Sequence, residues 1–321
     1  MKEKILEYLF EHQQEFTSGE VLRKKFNVSR TAVWKQINAL KEEGYQIKSI
    51  PNKGYRLQIG EDQLIPYVLE KSLGERIEVF QSIDSTNNYL KKTAQDFPDK
   101  MMVLSEEQTK GRGRMGREWY SPKGAGLFFS ILLKPKISMQ ESFIITGIAA
   151  AAVSEAIVDT TELPAKIKWP NDIVVNGKKV CGILTEVSGE LDGVSYMVVG
   201  IGINVNTPGF SEELKGVATS LYLEKGEKVL RKKLFLTIAK KFFHFYGDFT
   251  DGKGVQEVHR VLEKNSAILG REVRIIRGQE KKFGKAIAIT KEGFLKVRYS
   301  SGEEAVLSSG EVSVRGIEGY M

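Results

Sequence analysis

Asn176 and Gly177 stand between two strand-like runs, 173–175 and 179–187, and no other pair of residues constrains the fold as much. Both central positions of a two-residue hairpin need a positive φ, which Asn and Gly adopt at the least cost. A hairpin joins antiparallel neighbours, so the sheet containing it is not a simple doubly wound parallel array. Other strand-like runs lie at 101–105, 127–133, 167–169 and 194–205, and helical patterns at 142–160 and 228–245 would cover the sheet's faces. The fold class expected for the chain is α+β multidomain, with a mixed α/β sheet over residues 61–265.

Residues 1–60 read as a separate unit. Ile5, Leu6, Leu9 and Phe10 form one helical stripe, Thr17 or Ser18 is placed to cap a second helix, and Ser29 caps a third. In the third helix Val33, Ile37 and Leu40 share a face, Thr31, Lys35 and Asn38 point away, and Gly44 ends it. Runs 45–50 and 54–59, joined by Pro51-Asn52-Lys53, read as a hairpin. Three helices and a basic hairpin describe a winged helix-turn-helix. This stretch holds 11 Lys plus Arg against 7 acidic residues, a net +4 of the chain's +7. Ser29, Arg30, Thr31, Trp34 and Lys35 would face a DNA groove, and Lys48, Lys53 and Arg56 on the wing would meet phosphates. A protein-contacting module is the alternative for the same shape. From 266 to 321 short alternating strands follow, at 272–276, 283–289 and 295–299, as in a small β-barrel.

The single cysteine, Cys181, excludes an intrachain disulfide and leaves no cysteine pair for zinc or an iron–sulfur cluster, so no metal motif is read directly. The N-terminus lacks an apolar signal core, and the longest apolar stretch, 143–158, falls short of the roughly 20 residues that span a bilayer. That stretch reads as a buried helix, and the expected compartment is the cytoplasm, without membrane partners. His12, His244 and His259 all lie outside the motifs below, which argues against histidine base catalysis.

Four segments carry the chemistry. In 108–119, Gly111, Gly113 and Gly116 let the backbone wrap a ligand, Arg112, Arg114 and Arg117 offer forked donors to phosphate or carboxylate, and Trp119 offers a flat ring. The glycines match a dinucleotide fingerprint in spacing only, because polar residues separate them from the preceding strand and Ser121-Pro122 follows too soon for a helix. An RNA-contacting basic loop is the plainer alternative. In 168–172 and 178–184, a hairpin would gather Lys168, Asn171, Asp172 and Lys179 at one sheet edge; an ordinary charged surface hairpin is the alternative. Residues 82–88 cap a helix starting near Asn87, and 200–206 end a hydrophobic strand at Gly200 and Gly202, as a ligand wall or as a bulged end.

In their order, Ser85-Thr86-Asn87, Gly111-Arg-Gly-Arg-x-Gly-Arg-x-Trp119, Lys168-Trp-Pro-Asn-Asp172, Lys179-x-x-Gly-Ile-Leu184 and Gly200-x-Gly-x-Asn204 resemble the biotin protein ligases. With the winged helix before and the β-tail after, the chain resembles the subclass of bifunctional ligase–repressors. The resemblance implies a central catalytic domain of the biotin/lipoyl ligase type and a C-terminal SH3-like β-barrel. It implies ATP and biotin as substrates with Mg²⁺, biotinoyl-5'-AMP as intermediate, and transfer to a lysine of a biotin carboxyl carrier protein of acetyl-CoA carboxylase or other biotin carboxylases. It implies a repressor of biotin synthesis and transport genes, with the adenylate as corepressor, a ligand-promoted homodimer and operator DNA as partner.

By that similarity Ser85, Thr86, Asn87, Gln108, Gly111, Arg112, Arg114, Lys179, Gly182, Ile183 and Gly200 would bind biotin. Arg114, Arg117, Trp119, Lys168, Asn171, Asp172 and Asn204 would hold the nucleotide, with Trp119 beside the adenine. Lys179, Arg114, Arg117 and Asp172 would be catalytic, and Phe210, Leu214 and Val217 are candidates to cover the adenine, or simply packing residues. A lipoyl-type ligase and a biotin-sensing repressor without catalysis are the alternatives.

Overall fold

The structure, a computed structural model, describes residues 1–190, 193–277, 279–308 and 313–316. The chain divides into two compact units, Met1–Val68 and Leu69–Met321.

The first unit contains α1 (Lys2–Glu11), α2 (Gly19–Phe26), α3 (Arg30–Glu42) and the hairpin β1 (Ile47–Ile50) and β2 (Gly54–Leu57). Ser18 rather than Thr17 caps α2, its Oγ accepting from Val21 N, and Ser29 caps α3 through Ala32 N. Thr17 is used differently: its backbone pairs with Tyr55 in both directions at 2.8 Å, which ties the entry of α2 to the wing. Gly54 makes this possible, because with φ at +106° a Cβ there would stand 2.1 Å from Thr17 O. Ile5, Leu9, Leu22, Val33, Ile37, Leu40 and Leu57 close the core.

The second unit begins inside α4 (Pro66–Leu73) and continues with β3 (Ile77–Phe80), α5 (Thr86–Lys92), β4 (Met102–Ser105), β5 (Leu127–Leu133), α6 (Ile144–Thr161), β6 (Lys166–Lys168), β7 (Asp172–Val175), β8 (Lys178–Glu190) and β9 (Gly193–Ile203). Then come α7 (Glu212–Lys215), α8 (Leu221–Lys225), α9 (Arg231–Thr250) and α10 (Gln256–Lys264). Strands β3 to β9 form a sheet in the order β3-β4-β5-β9-β8-β7-β6. Only β3 and β4 run parallel, so the sheet is mixed, as the Asn-Gly turn requires. Asn176 and Gly177 both have positive φ, 49° and 79°. α6 meets the length and composition of a membrane-crossing helix, yet it packs against α9 and the sheet with residues buried on all sides. A helix apolar all round is what a buried core position demands.

β10 (Glu272–Arg277), β11 (Glu280–Ile289), β12 (Leu295–Tyr299), β13 (Glu304–Leu307) and β14 (Ser313–Gly316) form an antiparallel sheet in the order β13-β12-β11-β10-β14. The rest of the expected C-terminal domain, at 309–312 and 317–321, lies outside the described residues. This sheet docks on the larger one: Trp169 Nε1 donates to Gly293 O at 2.9 Å, and Phe143 meets Phe294 edge-on at 5.3 Å.

Candidate active site

One face of the larger sheet opens into a cavity of about 330 Å³, within the range of small-molecule sites. Its floor follows from strand register. Gly200 on β9 lies between Ser130 on β5 and Leu184 on β8, and Gly202 pairs with Gly182. Two glycines at alternate positions bare one face of the strand. A Cβ at Gly200 would stand 2.1 Å from Asn87 Oδ1, and one at Gly202 would stand 2.5 Å from Trp119 Nε1. The space these glycines leave therefore receives the side chains of Asn87 and Trp119.

At one end stands the start of α5, capped by Ser85; the helix begins at Thr86, one residue before the sequence pattern places it. Asn87 donates both amide hydrogens, to Leu184 O at 3.2 Å and Glu186 Oε2 at 2.9 Å, and Ser130 Oγ lies 2.6 Å from its Oδ1. Gln108 Oε1 accepts from Thr86 N at 3.0 Å and Thr86 Oγ1 at 3.2 Å, while its Nε2 donates one hydrogen to Ser121 Oγ at 3.1 Å. An amide oxygen has two acceptor sites and an amide nitrogen two hydrogens. Among the described residues, Asn87 thus has spare capacity only as an acceptor, and Gln108 only as a donor. The Thr86 hydroxyl is spent within the network.

At the other end the charges gather. Lys179 Nζ lies 2.6 Å from Asp172 Oδ1 and 5.2 Å from the centroid of the Trp119 ring. Arg114 Nη1 donates to Asn171 Oδ1 at 2.9 Å, and Asn171 Nδ2 donates to Ile183 O at 2.9 Å. Burial draws the Arg114 guanidinium below its ordinary pKa, and Asp172 works against that shift. Lys168 is buried at the same end. Asn204 is buried too, its Nδ2 turned to Thr219 O at 3.1 Å. Phe210, Leu214 and Val217 line the cavity, and Lys179 N donates to Val217 O at 2.7 Å, so this cover is pinned beside the lysine.

The loop 111–119 closes on itself: Trp119 N donates to Gly111 O at 2.9 Å and Gly113 N to Arg117 O at 2.7 Å. Its tip turns through Met115 and Gly116, both at positive φ. Arg112, Arg114, Arg117 and Trp119 reach the cavity, whereas Gly111 stands behind its wall, where a Cβ would meet Trp119 O at 2.4 Å. Trp119 spans Gly182 and Gly202, with its indole N–H buried and without a hydrogen-bond partner among the described residues.

Sequence reasoning did not find Ser130 or Glu186. Glu186 accepts from Asn87, Lys91 and Arg112, and burial pushes its carboxyl up less than these donors push it down, so it lies below the ordinary range. Its signal was the two-residue period from Gly182 through Leu184, which places 186 on the same face. Cys181 is buried, which drives its thiol pKa upward and leaves it inert.

In the first unit Ser29, Arg30, Thr31, Trp34 and Lys35 on α3 are exposed, as are Lys48 and Lys53 on the hairpin. Trp34 is 56% exposed, so its indole is open to a partner. Arg56 is half-buried, its guanidinium 4.9 Å above the Phe16 ring. Arg30, Thr31, Trp34, Asn52 and Tyr55 line an open groove between α3 and the wing.

The Biotin/lipoate A/B protein ligase family matches residues 79–206, an HTH domain matches 2–56, and the Biotin protein ligase C terminal domain matches 268–315. The chain is 34% identical over 317 residues to the bifunctional ligase/repressor BirA of Bacillus subtilis, covering 96% of this chain and 97% of that protein. It is 28% identical over 305 residues to the bifunctional ligase/repressor BirA of Escherichia coli, covering 95% and 94%. Biotin protein ligase from Aquifex aeolicus, solved in complex with biotin and ATP, is 34% identical with a TM-score of 0.66, covering 75% of this chain and 98% of that one.

Proposed function

The chain belongs to the biotin protein ligases, and from that membership we propose that it joins biotin to ATP as biotinoyl-5'-AMP, passes the biotin to a carrier-protein lysine, and represses transcription through its winged helix. The observation that carries the ligase reading is the polarity of the cavity: an end whose amides and hydroxyls offer paired donors and acceptors faces an end where Lys179, Arg114 and Lys168 gather, across a glycine floor. A cyclic urea needs an acceptor for its N–H and donors for its carbonyl, and a carboxylate or phosphate needs the cations. The dithiolane ring of lipoate has no use for the first end, so a lipoyl-type ligase fits less well.

In this reading Asn87 Oδ1 accepts a ring N–H, the Ser85 hydroxyl and the free Gln108 hydrogen donate to the ring carbonyl, and Gly182, Ile183 and Gly200 line the apolar tail. Gly111 acts from behind, by holding Gln108, Ser121 and Trp119 in register, and Arg112 closes the ring end. The biotin carboxylate attacks the α-phosphorus of ATP and pyrophosphate leaves; the carrier amine then attacks the activated carbonyl and AMP leaves. Neither step needs a protein nucleophile. Lys179, Arg114 and Arg117 steady the charge that builds on the phosphate oxygens in a water-poor site. Asp172 orients Lys179 and is the carboxylate available to receive the carrier amine's proton. Lys168, Asn171, Asn204 and Trp119 hold the nucleotide.

The hard oxygen donors at the cationic end are Asp172 and the amide oxygen of Asn204, a sparse set that suits Mg²⁺ held mainly by the phosphates of ATP. There the ion would supply charge neutralisation alongside Lys179. For regulation, we infer that the adenylate is the corepressor, that it promotes a homodimer, and that paired winged helices bind a two-fold operator. Arg30, Thr31, Trp34 and Lys35 then face bases, Ser29 presents the helix start, and Lys48, Lys53 and Arg56 meet phosphates.

Exchange of labelled pyrophosphate into ATP tests the chemistry. Exchange is expected with biotin and not with lipoate; exchange driven by lipoate, or by neither acid, overturns the reading.

A further inference from the structure

Resting on the biotin reading above, we propose that Glu186 is a positioning residue: it fixes Asn87 as an acceptor toward the ligand ring and joins that setting to the arginine loop. Glu186 lies on β8 opposite Val198, one alternate position beyond Leu184, which faces Gly200 across β8 and β9. Asn87 occupies the hollow above Gly200, so its amide lies within reach of the Glu186 carboxylate.

The geometry makes the carboxylate a three-way junction. Oε2 accepts from Asn87 Nδ2 at 2.9 Å, and Oε1 accepts from Lys91 Nζ at 2.6 Å and from Arg112 Nη1 at 3.3 Å. Arg112 Nη1 also donates to Asn88 Oδ1 at 2.9 Å. One ionised side chain on the rigid sheet thus receives a donor from the helix start, a cation from the helix body and a cation from the loop. Its side chain is 22% exposed, so the junction is partly shielded from water.

The consequence is directional. An asparagine amide can turn over and exchange its oxygen for its nitrogen at little intrinsic cost, and its neighbours decide which way it points. Leu184 O and Glu186 Oε2 are both pure acceptors, so they hold the nitrogen side, and Oδ1 is left toward Ser130 and the cavity. A ligand ring offering an N–H is accepted, and one offering only a lone pair at that place is rejected. Without Glu186 only Leu184 O holds the nitrogen side, and an amide that turns over presents N–H to N–H. Lys91 and Arg112, with no carboxylate between them, also repel each other at the loop's base.

Steady-state pyrophosphate release by the full chain with biotin, Mg-ATP and a biotin carrier domain to accept the biotin tests this in Glu186→Ala, Glu186→Gln and Lys91→Met. In Glu186→Ala the KM for biotin is expected to rise roughly tenfold to hundredfold, the size of one inverted hydrogen bond in a shielded site, with kcat and the KM for ATP within about threefold. Glu186→Gln can still accept the Asn87 hydrogen through its amide oxygen, and is expected to recover to within about fivefold of the unsubstituted protein. Lys91→Met breaks the ion pair but leaves the Asn87 contact, so its biotin KM is expected to stay within about threefold. The proposal is overturned if Glu186→Ala leaves the biotin KM unchanged, if kcat and both KM values move together, if glutamine gives no rescue, or if Lys91→Met matches Glu186→Ala. Should Glu186→Ala not fold, Glu186→Met, which fills the same space without an acceptor, takes its place under the same limits. An unsubstituted protein that releases no pyrophosphate with biotin fails the ligase reading itself, before any variant is compared, and takes this proposal with it.

Discussion

Replacing Gly200 by alanine places a methyl carbon 2.1 Å from Asn87 Oδ1 and 2.8 Å from its Cγ. Non-bonded heavy atoms sit best at about 3.5 Å or more, so the amide must retreat by roughly 1–1.4 Å. Asn87 is held by contacts of 2.6, 2.9 and 3.2 Å to Ser130, Glu186 and Leu184, and such a retreat carries at least two of them out of hydrogen-bonding range. The loss costs about 1–3 kcal/mol of stability, offset by about 0.5–1 kcal/mol because glycine is disfavoured inside a strand. The protein is therefore expected to fold. The effect on chemistry is larger, since a displacement near 1 Å at a positioning group lowers the rate about a hundredfold. Pyrophosphate release at limiting biotin, with a biotin carrier domain present as acceptor, reads that loss as kcat/KM. Gly247→Ala, in α9 with nothing within 4 Å of the added carbon, is the control and is expected to leave kcat/KM unchanged. A folded Gly200→Ala protein with kcat/KM within about fivefold of the unsubstituted one would refute the packing argument.

Lys179→Gln removes the cation nearest Asp172 and is expected to slow adenylate formation about 100- to 1,000-fold in single-turnover measurements; a change under about fivefold would remove Lys179 from the chemistry. Lys53→Ala is expected to weaken binding to DNA selected from a random pool without changing the preferred sequence, and to lower the salt slope by about 1, whereas an unaltered slope would take Lys53 off the phosphates. Glu186 has a carboxyl pKa below its ordinary 4.5 in the folded chain. The unfolded chain therefore takes up its proton first as the pH falls. The stability it contributes is present above about pH 4.5 and is lost as the pH drops through the lower folded value. Denaturant melts of Glu186→Gln and the unsubstituted protein should differ near neutrality and converge as the pH falls below the lowered folded value; a gap that stays constant would contradict that linkage.

What could be read beforehand was whatever the chain writes locally. The α3 stripe of Val33, Ile37 and Leu40, the Ser18 and Ser29 caps and the Asn176-Gly177 turn each depend on residues a few positions apart, and each stands as its pattern indicates. The ordered motifs were legible in the same way, and most of their residues meet in the cavity. The rest depends on which strands become neighbours. Ser130, Gly200 and Leu184 lie side by side only because β9 inserts between β5 and β8, after some 60 intervening residues. No local period announces that order, so the pairing of Asn87 with Gly200 was not legible, and the period that puts Glu186 on the face of Gly182 and Leu184 did not show that Asn87 would meet it there. Gly111 reads as ligand-facing backbone; what the local sequence does not announce is that its carbonyl also closes the loop by accepting from Trp119 N. The docking of Gly293 on Trp169 is likewise a meeting of distant loops.

The most direct measurement is the native mass of the protein after incubation with biotin and Mg-ATP, followed by addition of a biotin carrier domain. The account requires an added mass equal to biotinoyl-AMP, which then disappears as the carrier gains one biotin. A protein that binds biotin without gaining the AMP ester would contradict it, and would leave a ligand-responsive DNA-binding protein in its place.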